Sequence, residues 1–133
     1  ALAKAGISYD PDIVRDGNWR PDSGYRHTKE LLSIPNPPTA LFCGNDLIAL
    51  GAYEAVNSMG LQIPDDISIV GYDDQEIASY LNPPLTTIRL PYYEMGQQSV
   101  LHLIKMINNR KKEKPFQKKM RSTIVQRNSV SSI

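Results

Sequence analysis

Residues 38–74 read PTALFCGNDLIALGAYEAVNSMGLQIPDDISIVGYDD, and the order of apolar runs and breakers in them decides the fold. Ala40 to Gly44 and Ile67 to Tyr72 are short apolar runs bounded by turn residues, the pattern of strands buried on both faces rather than of a half-wet sheet. Between them Leu47, Leu50, Ala52, Val56 and Met59 recur at helical spacing and wrap much of the circumference. Such a helix is well buried, with Asp46 able to cap its start and Gly60 to end it. Strand, helix and strand joined by short loops imply parallel strands with right-handed crossovers.

Working outward, Thr86 to Leu90 (TTIRL) is a third strand, Ile13 to Arg15 a weaker one, and Ser122 to Gln126 a last one. Helical periodicity covers Ser23 to Leu32 and Tyr93 to Asn109, and Pro35, Pro37, Pro38, Pro64, Pro83 and Pro84 mark the loops. The predicted class is therefore α/β, an open parallel sheet with flanking helices. Such a sheet leaves a ligand crevice outside its strand C-termini, where the loops converge. That rule selects Asn18 and Trp19, then Asn45 and Asp46, then Asp73 and Asp74.

Each of these has a chemistry. Trp19 is the only tryptophan and sits in the polar loop NWRPDSG. There its ring either faces a small ligand or packs half-buried beneath the loop, and both readings stay open. Asn45 both donates and accepts, whereas Asp46 accepts only and is read first as a helix cap. Asp73 and Asp74 follow a hydrophobic strand, so one of them can turn into the crevice as an acceptor. A metal is not expected, because neither His27 nor His102 has a recognisable ligand spacing with these acids. Catalysis is not expected either: no Ser, Cys or His stands in a nucleophile motif, and GxGxxG, GxxxxGK[ST] and GxSxG are absent. No cofactor is implied.

Composition bounds the class. A chain of 133 residues, 41% hydrophobic and 22% charged, suits one globular domain or a piece of one. No apolar run approaches the roughly 20 residues of a membrane span. A single cysteine, Cys43, fits a reducing cytoplasm without demanding it. The start, ALAKAGISYD, lacks both Met and the pattern of an export signal, which suggests a trimmed chain. The net charge of +1 hides a basic cluster, Lys105, Arg110, Lys111, Lys112, Lys114, Lys118, Lys119 and Arg121. Such a cluster reads first as a solvated helix end and second as a phosphate contact.

Taken together, PTALFCGND, LIALGAYEAVNSMGLQIPDDISIVGYDD and PPLTTIRLPYYEMG, with GNWRPDSGY upstream and VQRNS near the end, closely resemble the lactose/galactose-repressor (LacI/GalR) family of transcriptional regulators. The resemblance covers nearly the whole chain, and the blocks in order are far more specific than any one of them. It implies one subdomain of a periplasmic-binding-protein-like core. Residues 1–89 would be the C-terminal subdomain, 90–113 a crossover helix belonging to an N-terminal subdomain absent here, and 114–133 a returning strand and tail. It implies effector contacts at Trp19, Asn45 and Asp73, with Asp46, Asp74 and Leu90 as secondary candidates. Leu90 stands where many members carry glutamine, so a polar contact there is in doubt. It also implies a homodimer using Leu50, Glu54, Ile77, Tyr80 and Leu81, and operator DNA bound by a head outside this chain. The expected protein is a cytoplasmic regulator, a repressor first, sensing a sugar or sugar derivative, with a purine or nucleoside as second choice. A solute-binding protein of a sugar transporter is the alternative.

One helix face lacks a partner. Gly96, Val100, Leu103, Ile104 and Ile107 form a stripe at spacings of three and four. Burying its four aliphatic side chains is worth about 6 to 12 kcal/mol. The stripe is therefore expected to fold onto the chain's own sheet, to meet a second copy, or to be mobile.

Overall fold

The computed structural model describes residues 2–108 and 117–131. After two short 3-10 turns come α1 (Pro21–Leu32), β1 (Ala40–Phe42), α2 (Asp46–Ser58), β2 (Ser68–Val70), a single-turn helix α3 (Ile77–Tyr80), β3 (Thr87–Arg89), α4 (Tyr92–Asn108) and β4 (Thr123–Val125).

β1 and β2 pair in parallel, Leu41 opposite Ile69. Isolated parallel bridges Val70 to Thr86 and Asp73 to Arg89 carry the sheet on to β3. The last pair departs from the all-parallel expectation: β4 runs antiparallel to β3, with Ile88 opposite Ile124. The tail then returns across the sheet. Ser129 accepts from Ile69 N through its carbonyl at 2.8 Å, and its hydroxyl donates to Ile69 O at 2.5 Å while accepting from Thr86 N at 2.8 Å. Fully buried, Ser129 satisfies backbone groups of two strands that would otherwise be orphaned.

The core lies between α2 and the sheet: Ala49, Ala52, Tyr53 and Val56 pack against Ile67, Ile69, Ala78 and Leu85. α1 crosses α2 closely through glycine. A Cβ on Gly51 would lie 2.7 Å from Pro21 C and 2.8 Å from Tyr25 N, and one on Gly24 would lie 2.9 Å from Ile48 C. Both positions must lack a side chain for the helices to meet at this distance.

Several expectations are corrected. Ile13 to Arg15 is not a strand; Pro11–Ile13 forms a 3-10 turn capped by Asp10, whose carboxylate accepts from Asp12 N at 2.9 Å. Proline lacks the N–H a strand would offer here and favours a helical first turn. β1 is not buried on both faces, since Phe42 is 66% exposed; its ring meets Tyr72 edge-on at 6.5 Å. The cap of α2 is Asn45, whose Oδ1 accepts from Ile48 N at 2.8 Å, and not Asp46. Gly60, with φ 73°, does follow the end of that helix. α4 forms as a helix, and no residue of it is buried: Val100, Leu103, Ile104 and Ile107 are all exposed. The stripe therefore does not fold back on the sheet. The expected helix end at Asn109, the boundary at 113/114, and Arg110, Lys111, Lys112 and Lys114 lie outside the described residues, while Lys118, Lys119 and Arg121 are exposed.

Candidate functional site

The loops leaving β1 and β2 meet at the C-terminal end of the sheet, together with the loop that enters α1. Trp19 stands at the mouth of α1, 63% exposed, so it is not sealed in a core. Its backbone is left-handed (φ 65°), a conformation that a bulky residue adopts only when its surroundings hold it there. Two contacts do so. Asn45 Nδ2 donates to Trp19 O at 3.1 Å, and the indole lies against Gly44, where a Cβ would approach Trp19 Cζ3 to 2.9 Å. The loop before it is braced by Asn18, whose Oδ1 accepts from Arg20 N and whose Nδ2 donates to Asp22.

Asn45 is buried and spends one acceptor on the α2 cap and one donor on Trp19. One amide hydrogen and a second lone pair remain. Asp73 and Asp74 follow β2, and both are left-handed, with φ 107° and 53°. Among the described residues the non-glycine positions with positive φ are these two and Trp19, so backbone strain gathers in the loop after β2 and in the loop that enters α1. Asp73 is half-buried; its Oδ1 accepts from Tyr92 OH at 2.6 Å, and its Oδ2 accepts weakly from Gln75 Nε2 at 3.4 Å. The carboxylate beside it, together with burial, pushes the Tyr92 hydroxyl up to about 12. Oδ2 is thus the better-placed acceptor for a ligand.

The secondary candidates separate from these. Asp46 is fully buried. Burial pushes its carboxyl above the ordinary range, with Asp73 and Asp74 adding to that, while hydrogen bonds from Thr87 and Gln75 oppose it. Asp74 is clamped: Arg89 Nε donates to Oδ2 at 2.6 Å and Arg127 Nη2 to Oδ1 at 2.7 Å. Burial would raise Asp74, but the hydrogen bonds and charges of Arg127 and Arg89 outweigh it and hold the carboxyl low. Leu90 is half-buried beside Pro91 and offers nothing polar. Of the residues expected at an intersubunit face, Leu50, Ile77 and Leu81 are half-buried, and Glu54 and Tyr80 are exposed. Cys43 is buried, which pushes its thiol up to about 12; a thiol so rarely ionised is a poor nucleophile.

Trp19 and Asp73 border different cavities. Trp19 edges an apolar one of about 860 Å³ between residues 2–17, α1 and β1. Asp73, Asp74, Arg89, Leu90 and Tyr92 edge another of about 550 Å³. Asn45 and the Asp46 backbone connect the two loops. Sequence reading missed Tyr92, Gln75, Arg89 and Arg127 as neighbours of the acid pair. Arg127 reaches Asp74 across 53 positions, a pairing for which the sequence carries no local signal. Among the described residues no cluster of His, Cys, Asp or Glu could hold a metal, and no helix is long and apolar enough to cross a membrane.

Comparison with known proteins gives a consistent picture. A family model described as periplasmic binding protein-like domain matches residues 1–130. The HTH-type transcriptional repressor CytR of Escherichia coli (strain K12) is 40% identical over 104 residues, 78% of this chain and 30% of that protein. Of solved structures, a complex of the transcriptional regulator CelR with cellobiose superimposes with a TM-score of 0.89 at 32% identity, covering 96% of this chain and 39% of that one. A LacI family transcriptional regulator from Enterococcus faecium with bound ribose superimposes at 0.84 and 34% identity, covering 97% and 47%. The chain thus spans about a third to a half of the proteins it matches.

Proposed function

The chain belongs to the periplasmic binding protein-like domain family, in the form carried by LacI-type transcriptional regulators, and on that premise we propose that it forms one wall of the small-molecule-sensing core of a DNA-binding regulator, a repressor first. The observation that carries this is the link between two loops at one sheet end: Asn45, an amide with spare capacity, holds the loop of an exposed indole, and the next residue's N–H holds the loop of a carboxylate with a nearly free oxygen, although indole and carboxylate edge different cavities. Trp19, Asn45 and Asp73 are its effector contacts; Asp46, Asp74 and Leu90 are not, since the first two are occupied and the third is apolar.

A sugar or sugar derivative suits the site first, because a pyranose offers an apolar face to indole and hydroxyls to a carboxylate. Relatives of the same fold have been solved with cellobiose and with ribose. Reading out the ligand requires the core to exist in two conformations that bind it with different affinity. Operator binding belongs to a part of the protein beyond this chain, and a second copy pairs through Leu50, Glu54, Ile77, Tyr80 and Leu81.

Calorimetry on the full-length protein with ribose, cellobiose and adenosine tests the site. Asp73→Ala should remove a charge-assisted hydrogen bond worth about 1.5 to 3 kcal/mol. Wild-type affinity in that variant would remove Asp73 from the site, and no binding of any of the three by wild type would refute the sugar or nucleoside reading.

A further inference from the structure

Asp46 is fully buried, yet it ties together two separate pieces of chain, its carboxylate reaching both and its backbone one of them. Its Oδ2 accepts from Gln75 N at 2.6 Å, its Oδ1 accepts from Thr87 Oγ1 at 2.6 Å, and its own backbone N–H donates to Tyr72 O at 2.9 Å. The contacts at Tyr72 and Gln75 bracket the two left-handed residues Asp73 and Asp74. One residue thus holds both ends of a four-residue turn whose middle is strained. Gly71 makes room for this, because a side chain there would run into Asp46 Oδ1. From the other side, Asp73 N donates to Ile88 O at 2.9 Å on β3, the strand that also carries Thr87.

We propose that Asp46 is a positioning residue of the effector site: it never meets the ligand, but by clamping residues 72–75 it holds Asp73 in the left-handed conformation that presents its carboxylate. This rests on the reading of Asp73 as an effector contact. Without the clamp, residues 73 and 74 relax toward ordinary φ, and only a fraction of molecules present the carboxylate correctly. The apparent affinity falls by that fraction, roughly tenfold for strain of the usual size. The clamp works by hydrogen-bond geometry. An asparagine can reproduce it, with Oδ1 accepting from Gln75 N and Nδ2 donating to the Thr87 hydroxyl, which also accepts.

The test uses the full-length protein, titrated calorimetrically with ribose, cellobiose and adenosine, with thermal unfolding measured in parallel. Asp46→Ala is expected to weaken the best-bound probe roughly tenfold, and Asp46→Asn to restore most of that loss. Should Asp46→Ala not accumulate folded, Asp46→Ser, which cannot span to Gln75, carries the same expectation. A lower melting temperature with wild-type Kd in Asp46→Ala or Asp46→Ser would make Asp46 merely structural and overturn the proposal. So would an asparagine variant as weak as alanine. Absence of wild-type binding to all three probes would overturn the parent reading, and is distinguishable because it appears before any substitution.

Discussion

Gly51→Ala should destabilise the protein by about 2 kcal/mol, although alanine is the better helix former. The new methyl would sit 2.7 Å from Pro21 C and 2.8 Å from Tyr25 N. These are backbone atoms at the start of α1, not the ends of flexible side chains. Restoring the 3.5 to 4.0 Å of a relaxed carbon contact requires the helices to part by about 1 Å, a gap that forfeits up to about half of each dispersion contact across the crossing. Overpacking of this kind costs about 1 to 3 kcal/mol, and the upper end applies because two helix backbones must move. Against it stands about 0.5 to 1 kcal/mol of helix propensity gained. Gly96→Ala in this chain is the control, since its methyl meets nothing within 4 Å and only the propensity gain remains. Urea unfolding of both variants checks the argument. If Gly51→Ala were neutral, or if the two shifted stability in the same direction, the close approach of α1 and α2 would not be what requires glycine. The same displacement moves Trp19, two residues before α1, relative to Asn45 at the start of α2, so ligand affinity should fall with stability.

Gly44→Ala should push the indole of Trp19 off its seat, since the methyl would lie 2.9 Å from Cζ3. Because Trp19 is the only tryptophan, its emission should shift to the red, and an unchanged spectrum would show that the ring is not held there. Asp74→Asn addresses acid sensitivity. The Asp74 carboxyl is held below its unfolded value, so its contribution is complete above about pH 4, the unfolded pKa, and is lost as pH falls through the lower folded value. The variant should be less stable by about 1 to 2 kcal/mol at pH 7 and should lose less than wild type between pH 5 and pH 2. Asp46, raised chiefly by burial, acts in the opposite sense in both proteins, and because the Asp74 charge is the smallest contributor to that rise the variant alters it only slightly. Parallel pH profiles for wild type and variant would refute the clamp.

What the sequence made legible was whatever depends on near neighbours. α2 follows from its apolar recurrence and the glycine after it, and β2 and β3 from their β-branched runs. The strand-end rule singled out the loops where Asn45 and Asp73 lie, whereas Trp19 was reached through a strand at Ile13 to Arg15 that does not form, and it lies in the loop that enters α1. What it could not show depends on contacts between distant residues. Asn and Asp at 45 and 46 are equally good caps by type, and only the position of Gln75 and Thr87 assigns the cap to one and the buried bracket to the other. Tyr92 reaches Asp73, and two arginines reach Asp74, over 15 to 53 positions. β1 reads as a core strand because its residues are apolar, yet a strand at an edge keeps such residues exposed where nothing covers them, as Phe42 shows.

The stitch made by Ser129 bears on when this domain can fold during its synthesis. Until residues 127–131 have been made, Ile69 N and Thr86 N lack their acceptors, Asp74 lacks Arg127, and Asn128 N has not reached Pro84 O. Most of the core is already translated by then, but the sheet stays open on the side that the tail closes. Closure of the sheet therefore waits for residues 127–131, and a nonsense change just ahead of them should be far more damaging than the loss of those contacts' residues alone suggests, leaving a chain with buried-type amides bared for chaperones and proteases to find.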